Sequence, residues 1–369
     1  MILNSQVVEQ SVDHEDRAFF VKQLLVARGT SPVALVRKRL ARPRPHMSLE
    51  SLIPDDVACP TRATVLMIHG YGQNRYAFHL PARSLVNHLA RCGFDVYNID
   101  LRGRGRSSLL GAKRPHSILD FVHSDVPTAL DEIQAVSGRQ PVYLVGHSLG
   151  GIVSYCVAVD EPQRVAGVIS IGSPYHFTRG SRWLARAGDA FLAVDRVLHI
   201  PNMAVPASKV GRVVNVARRV WDSPLHPLPF RGFHHNTMEP EVLRQHMALA
   251  MDTGSISTIR AMFTWAAEAR ERANDNADGM FGYAGRFENL ELPLLVISGK
   301  YDDLAPPASV KPAFEYSNST DKTYREFPFG HIDLLVGKEA PRLTWPLVEA
   351  WLGRRADKGA RTEILAGSA

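Results

Sequence analysis

The stretch Tyr143–Gly151, YLVGHSLGG, decides how the chain is read. An apolar run, Val142–Gly146, stops at Gly146-His147-Ser148-Leu149-Gly150 and passes at once into a helix-compatible segment, GIVSYCVAVDEP. A short apolar run bounded by turn residues reads as a strand buried on both faces of a parallel sheet. A serine flanked at two removes by glycines marks a crowded turn, because glycine lets backbone and helix come close. In a Gly-x-Ser-x-Gly turn between strand and helix, the serine Oγ stands above the C-terminal edge of the sheet, so Ser148 is a candidate nucleophile.

Outward from that turn, the same strand pattern recurs. TVLMIH (Thr64–His69), FDVYNID (Phe94–Asp100), VAGVISIG from Val165 and LPLLVISG from Leu292 all read as core strands. ARSLVNHLARCG and VPTALDEIQAVSG between them read as helices. Strands alternating with helices predict a mostly parallel sheet covered on both faces. The alternation breaks between Pro174 and about Asn289, where prolines (Pro201, Pro206, Pro224, Pro227, Pro229), arginines and the helix-like PEVLRQHMALAM and STIRAMFTWAAEARERA replace core strands. The expected organisation is an N-terminal extension (1–60), a core begun at 61–174, a helical cap insertion at 175–289, a core resumed at 290–354, and a flexible polar tail at 355–369. Within the extension, RAFFVKQLLVARG reads as helix and VRKRLARPRPH as a basic, proline-broken segment.

At 369 residues, 45% hydrophobic and 22% charged, the chain is ordinary globular material, long enough for a large domain with an insertion. The formal charge of +6 favours anionic surfaces or ligands. It comes without a helix-turn-helix, zinc-finger or RNA-binding signature, so nucleic acid is not an expected partner. Three dispersed cysteines, Cys59, Cys92 and Cys156, suggest neither a disulfide framework nor a metal site. The N-terminus has acids where a secretory leader has a basic flank, and no apolar run is long enough to span a bilayer. The expectation is a cytoplasmic protein, with peripheral contact at an anionic membrane surface as an alternative.

A serine hydroxyl needs a histidine base and an acid to orient it. Both follow Ser148 in chain order: KYDDLAPP after the strand from Leu292 offers Asp302 or Asp303, and FGHIDLL after TYREFP offers His331, with Asp333 as a third-ranked acid. The oxyanion of an acyl-transfer intermediate needs N–H donors, which HGYGQNR places at Tyr71 and the helix start at Leu149. His69, Gly70 and His147 are read as supporting loop geometry. RGRGRSS from Arg102 lacks the lysine of a phosphate-binding loop. His234 and His235 lack partners at metal-ligand spacing, so neither metal nor organic cofactor is expected. Cys156 reads as core packing.

Taken together, HGYG, DLRGRGRSS, GHSLGG, GKYDDLAPP and GHID resemble the α/β-hydrolase superfamily across about Thr64–Pro174 and Leu292–Leu352. HLPARSLVNHLARCGFDVYNIDLRGRGRS and GHIDLLVGKEAPRLTWPLVEAWL are similar to the acid or gastric lipase branch and, more distantly, to polyhydroxyalkanoate synthases, which carry cysteine where this chain has Ser148. The resemblance implies an α/β-hydrolase fold with a helical cap and a Ser148-Asp302-His331 triad. Asp302 is preferred over Asp303 because Gly299, Asp302 and Pro306 fit the family spacing. It further implies cleavage of carboxylic esters or lipids through an acyl-enzyme. An acyltransferase or thioesterase would use the same triad, and a binding protein on a hydrolase fold is the non-enzymatic rival. The cap mixes Trp183, Leu184, Phe191, Leu192, Trp221, Phe230 and Phe233 with Arg179, Arg182, Arg186, Arg196, Arg218 and Arg219, a composition expected of a lid that meets anionic interfaces.

Overall fold

Continuous apolar strands need cover on both faces, and in the computed structural model they obtain it in a nine-stranded sheet of order β1-β2-β3-β5-β4-β6-β7-β10-β11. The structure describes residues 1–43, 49, 52–138, 141–223, 226, 230–271 and 282–367; Pro224, Pro227 and Pro229 lie outside it. The core strands are β4 (Thr64–Ile68), β5 (Asp95–Asp100), β6 (Val142–His147), β7 (Val165–Ile171), β10 (Leu294–Gly299) and β11 (Lys322–Phe327). All run parallel to their neighbours among themselves. Side chains alternate across a strand, so β4 sends Leu66 and Ile68 into one apolar cluster and Val65 and Met67 into the other. Each fully buried Val, Leu, Ile or Met contributes roughly 1.5–3 kcal/mol, and this two-sided burial is why the run in β4 is unbroken.

The N-terminal residues depart from expectation. RAFFVKQLLVARG is not a helix: it forms most of β2 (Asp16–Arg28), between β1 (Ile2–Asp13) and β3 (Pro32–Leu40). These three strands are antiparallel, and β3 pairs with β5, so the segment read as an extension completes one side of the sheet. Val21, Leu24 and Leu25 are compatible with a helical stripe, but Phe20, Val21, Leu25 and Val26 are buried on both faces of a strand. The β1–β2 turn is His14-Glu15, with His14 at φ +47°. Two-residue hairpins are usually announced by Asn-Gly or Gly, and that signal is missing here. The last helix runs from Thr344 to Gly367 and so extends into the segment read as a tail.

Between β7 and β10 the cap contributes the helices Arg182–Leu198, Ala207–Val216, Pro240–Gln245 and Ile256–Glu271, and a small ribbon of β8 (Ala204–Pro206) with β9 (Thr253–Ser255). No described helix is long and apolar enough to cross a membrane. Of the cap aromatics singled out in the sequence, Trp221 and Phe230 line the cavity, and Trp183 and Phe191 are partly exposed. Trp183 stacks on Phe230 with centroids 5.1 Å apart, and Phe233 is buried. The outward apolar residues are instead aliphatic: Val197, Leu198, Val213, Val216 and Val220 are all more than half exposed.

Candidate active site

The C-terminal ends of β4, β6 and β10, with the loop after β11, meet beneath the cap. β6 ends at His147, and Ser148 follows at φ +54°, ψ −122°, a conformation that L-residues rarely hold without enforcement. The enforcement comes from packing. Ser148 N–H donates to Ile171 O (3.0 Å), and the helix Leu149–Asp160 starts against β4 so closely that a Cβ on Gly150 would sit 1.9 Å from Ile68 O. A Cβ on Gly146 would lie 2.3 Å from Gly150 O. Both glycines are therefore required by contact, and the tight turn presents Ser148 to the cavity above the sheet.

His331 lies in the loop between β11 and the short helix Asp333–Val336. Its Nδ1 is 2.8 Å from Asp302 Oδ2, and both side chains are buried. Asp302 Oδ1 accepts from the Leu304 and Ala305 N–H groups at 3.0 and 2.7 Å, which fixes the carboxylate's orientation. Burial disfavours a charged imidazole, but the Asp302 carboxylate outweighs it and raises His331 above the ordinary histidine pKa. Ser148 and His331 line one cavity of about 320 Å³ with Phe177, Trp221, Phe230, Met247, Met262 and other largely apolar residues of core and cap.

The two other acids near His331 serve the framework. Asp303 accepts from the N–H groups of Arg231 (2.5 Å) and Gly232 (3.2 Å), tying the cap to the β10 loop. Asp333 Oδ2 accepts from Gly330 N–H (2.7 Å) and His234 N–H (2.6 Å), which braces the histidine loop against the cap. Burial pushes the Asp333 carboxyl up to about 7. Neither acid is hydrogen-bonded to the His331 ring among the described residues.

On the other side of Ser148, β4 runs into the HGYG loop. His69 Nε2 accepts from Leu101 N–H (3.1 Å) and its Nδ1 donates to Gly70 O (3.0 Å), so both ring nitrogens are committed to holding loops. Burial, with Arg104 nearby, lowers its pKa to about 4 and keeps the ring neutral. A Cβ on Gly70 would approach Ser148 Cβ to 3.1 Å, so the loop passes directly over the serine. Leu149 opens its helix, and its N–H has no intrahelical acceptor. The His147 ring lies 4.6 Å from that of His331, with Nε2 3.3 Å from His331 O, and supports the loop from below.

Two participants were not found in the sequence. Gln73 lines the cavity, accepts from Gly70 N–H through Oε1 (3.2 Å) and lies 3.4 Å from the buried His246. The signal was its place directly after the loop glycines. His246 opens a π-helical turn, His246–Ala250, a form often met at functional sites. The following cap residues stitch themselves to the HGYG loop: Asp252 N–H donates to Gly72 O (2.8 Å), Asn74 N–H to Ala250 O (3.0 Å) and Tyr71 OH to Ser255 O (3.3 Å). The cap therefore grips the cavity from both sides.

RGRGRSS does not cradle an anion with its backbone. Arg102 is paired with Asp125, and the Arg106 N–H donates to Asp100 Oδ2 (2.9 Å). Cys156 is buried in the helix after Ser148, and burial pushes its thiol well above the usual value, as core packing requires. His234 stacks on Tyr301 with centroids 4.1 Å apart. Among the described residues, the one group with three ligating atoms within 4.8 Å of each other is His88, Cys92 and Glu349. None of the three lines the cavity around Ser148, and the His88 Nε2–Glu349 Oε2 contact of 2.9 Å accounts for the group's closeness.

Comparison with known proteins gives a consistent placement. The family model described as Serine aminopeptidase, S33, matches residues 59–334. The poly(3-hydroxyalkanoate) polymerase subunit PhaC of Haloferax mediterranei is 26% identical over 96% of this chain and 70% of its own length. The corresponding subunit of Haloarcula marismortui is 23% identical over 81% of this chain, which spans only 62% of that relative. Among solved structures, a soluble variant of monoglyceride lipase from Saccharomyces cerevisiae aligns over 90% of this chain and 96% of its own, with a TM-score of 0.58 at 16% identity.

Proposed function

From a chain that belongs to the serine aminopeptidase S33 family and has the α/β-hydrolase fold, we propose a serine hydrolase that cleaves carboxylic esters through an acyl-enzyme. The observation that carries this reading is the shared cavity: Ser148, in its strained turn, and His331, held by Asp302, open into the same apolar space. In this reading Ser148 Oγ attacks the ester carbonyl while His331 Nε2 takes its proton and later returns it to the departing alcohol. Asp302 keeps the Nδ1–H tautomer and supports the imidazolium. The N–H groups of Tyr71 and Leu149 receive the oxyanion, and the aromatic and methionine lining receives the acyl chain. The substrate class is a small ester or lipid, and the exposed valines and arginines of the cap bring the enzyme to anionic lipid surfaces.

The names of the two relatives, polymerase subunits, favour a second reading, in which the acyl group is passed to an acceptor other than water. The same triad serves both, and a thioesterase would use it too. Fluorophosphonate labelling followed by an ester chain-length series, run with and without a competing alcohol, tests the proposal. Absence of Ser148 labelling and of ester turnover counts against it, and product partition separates hydrolysis from transfer.

A further inference from the structure

A second cavity, of about 370 Å³, lies on the other side of the HGYG loop, between the N-terminal strands and the connection from β4 to β5. Its lining is predominantly cationic. Lys22, Lys38, Arg75, Arg106 and Arg17 all contribute to it against a single carboxylate, Glu9, beside the neutral donors and acceptors of Gln6, Gln10 and Asn98. The strand register sets Gln6 opposite Lys22 on β1 and β2, and Lys22 opposite Lys38 on β2 and β3. Like charges directly opposite in an antiparallel pair destabilise it, and an alternative residue on either strand would avoid the cost.

Ordinary neutralisation does not explain the pair. Arg75 is matched by Asp100 (2.5 Å) and Arg17 by Glu9 (3.8 Å), whereas Lys22, Lys38 and Arg106 make no ion pair among the described residues. Lys38 is fully buried, and its Nζ donates to Gln10 Oε1 (2.5 Å) and Asn87 Oδ1 (2.7 Å) and lies 3.0 Å from His79 Nε2. All three partners are polar and uncharged carriers, so they orient the ammonium without cancelling it. Burial, with Arg75 and Arg106, holds the Lys22 ammonium below its ordinary pKa; burial, with Lys22 and Arg75, holds Lys38 well below. A buried ammonium is costly unless paired.

We propose that this cavity is a binding site for a compact, multiply charged anion of the phosphate type, held by Lys22 from the sheet and by Arg106 from the helix Gly105–Leu109, while the buried Lys38, whose donors are taken by Gln10, Asn87 and His79, adds positive charge from beneath. Two cations without an ion pair among the described residues, the half-buried Lys22 and the exposed Arg106, with the Lys38 charge behind them, match an anion with two or more charges on one centre better than a single carboxylate. The anion is either free phosphate or the phosphate of a small organic ester, whose body the remaining space accommodates. The site is separate from Ser148, yet Arg75 and Tyr76, which line it, follow Gln73 of the HGYG loop by two and three residues.

Titration calorimetry on the full chain tests this, with inorganic phosphate and with glycerol 3-phosphate at constant ionic strength over a chloride background. One equivalent is expected to bind, at least tenfold more weakly after Lys22→Gln and after Arg106→Gln. Tighter binding of the ester than of phosphate identifies an organic phosphate, and equal binding identifies phosphate itself. Without anion, Lys22→Gln is expected to melt above the wild type because the cross-strand repulsion is gone, while turnover of a short soluble ester is unchanged. Absence of binding to either probe, or binding that survives both substitutions, overturns the proposal.

Discussion

Substituting Asp302→Asn isolates the role of the acid, because the geometry dictates how the amide must turn. Leu304 and Ala305 both point N–H groups at Asp302 Oδ1, at 3.0 and 2.7 Å. An amide nitrogen cannot face two donors, so the side-chain carbonyl takes that place and the NH2 faces His331 Nδ1, where an acceptor stood at 2.8 Å. His331 Nδ1 must then be the unprotonated nitrogen and Nε2 the protonated one, which is the tautomer unable to receive the Ser148 proton. The counter-charge for the imidazolium is lost in the same step. The expected loss is ~10,000-fold in kcat, about 5.4 kcal/mol at 1.36 kcal/mol per decade, with the fold intact. A pH profile gives a second readout. The base must be neutral, so kcat/KM falls as pH drops through the His331 pKa, which the Asp302 carboxylate raises. Removing that carboxylate shifts the acid limb to lower pH. Asp303→Asn is expected to cost less than about tenfold, because its carbonyl can still accept from Arg231 and Gly232. A mild Asp302→Asn with an unmoved acid limb, or a more damaging Asp303→Asn, refutes the reasoning.

Asp333 has a folded-state pKa of about 7 against 3.8 for the free carboxyl, so the native state binds the extra proton and stability falls as pH rises from about 4 to about 7. Asp333→Asn should flatten that fall, and thermal melts across this window should show the variant gaining on the wild type; a constant difference contradicts the assignment. Gly150→Ala forces a Cβ to within 1.9 Å of Ile68 O, where backbone must move, and is expected to cost roughly 3 kcal/mol or more in chemical denaturation, whereas near-wild-type stability would show that the elbow can relax. Changing Arg218 and Arg219 together to Gln should weaken binding to anionic vesicles in a salt-sensitive manner and leave short-ester turnover alone, since each basic side chain near such a surface contributes about 1 kcal/mol. Equal, salt-insensitive binding to neutral and anionic vesicles would reduce the cap to a specificity lid.

Most of the parallel half of the sheet was legible because β4, β6, β7 and β10 are buried on both faces and carry apolar runs between turns; the edge strand β11, KTYREF, is partly exposed and was only a plausible strand. The antiparallel half was not. β2 mixes Lys22 and Gln23 with apolar neighbours, and its hairpin turns on His14-Glu15 without the glycine or asparagine that usually marks such a turn. Ser148, Asp302 and His331 could be proposed from the sequence because each follows a recognisable strand, and their order along the chain is that of the resembled hydrolases. The choice of Asp302 over Asp303 rested on the spacing of the resembled family, because the residues themselves do not show which acid faces the imidazole. Asp302 and Asp303 are adjacent, and only the turn of the β10 loop sends one toward His331 and the other toward the cap. Nor could the sequence show Gln73 and His246, which meet across 173 positions, or the inward turn of Trp221 and Phe230, since a helix pattern in an insertion does not say which face meets the core.

The central claim is that Ser148 forms the acyl-enzyme, and intact-protein mass spectrometry after fluorophosphonate treatment tests it most directly. The account requires one adduct per chain, located on Ser148 by peptide mapping. It also requires that the adduct and ester turnover both disappear in a folded Ser148→Ala variant, apart from a small residual rate from the oxyanion donors and binding. Turnover at the wild-type rate in that variant, or an adduct on another residue that tracks activity, would contradict it.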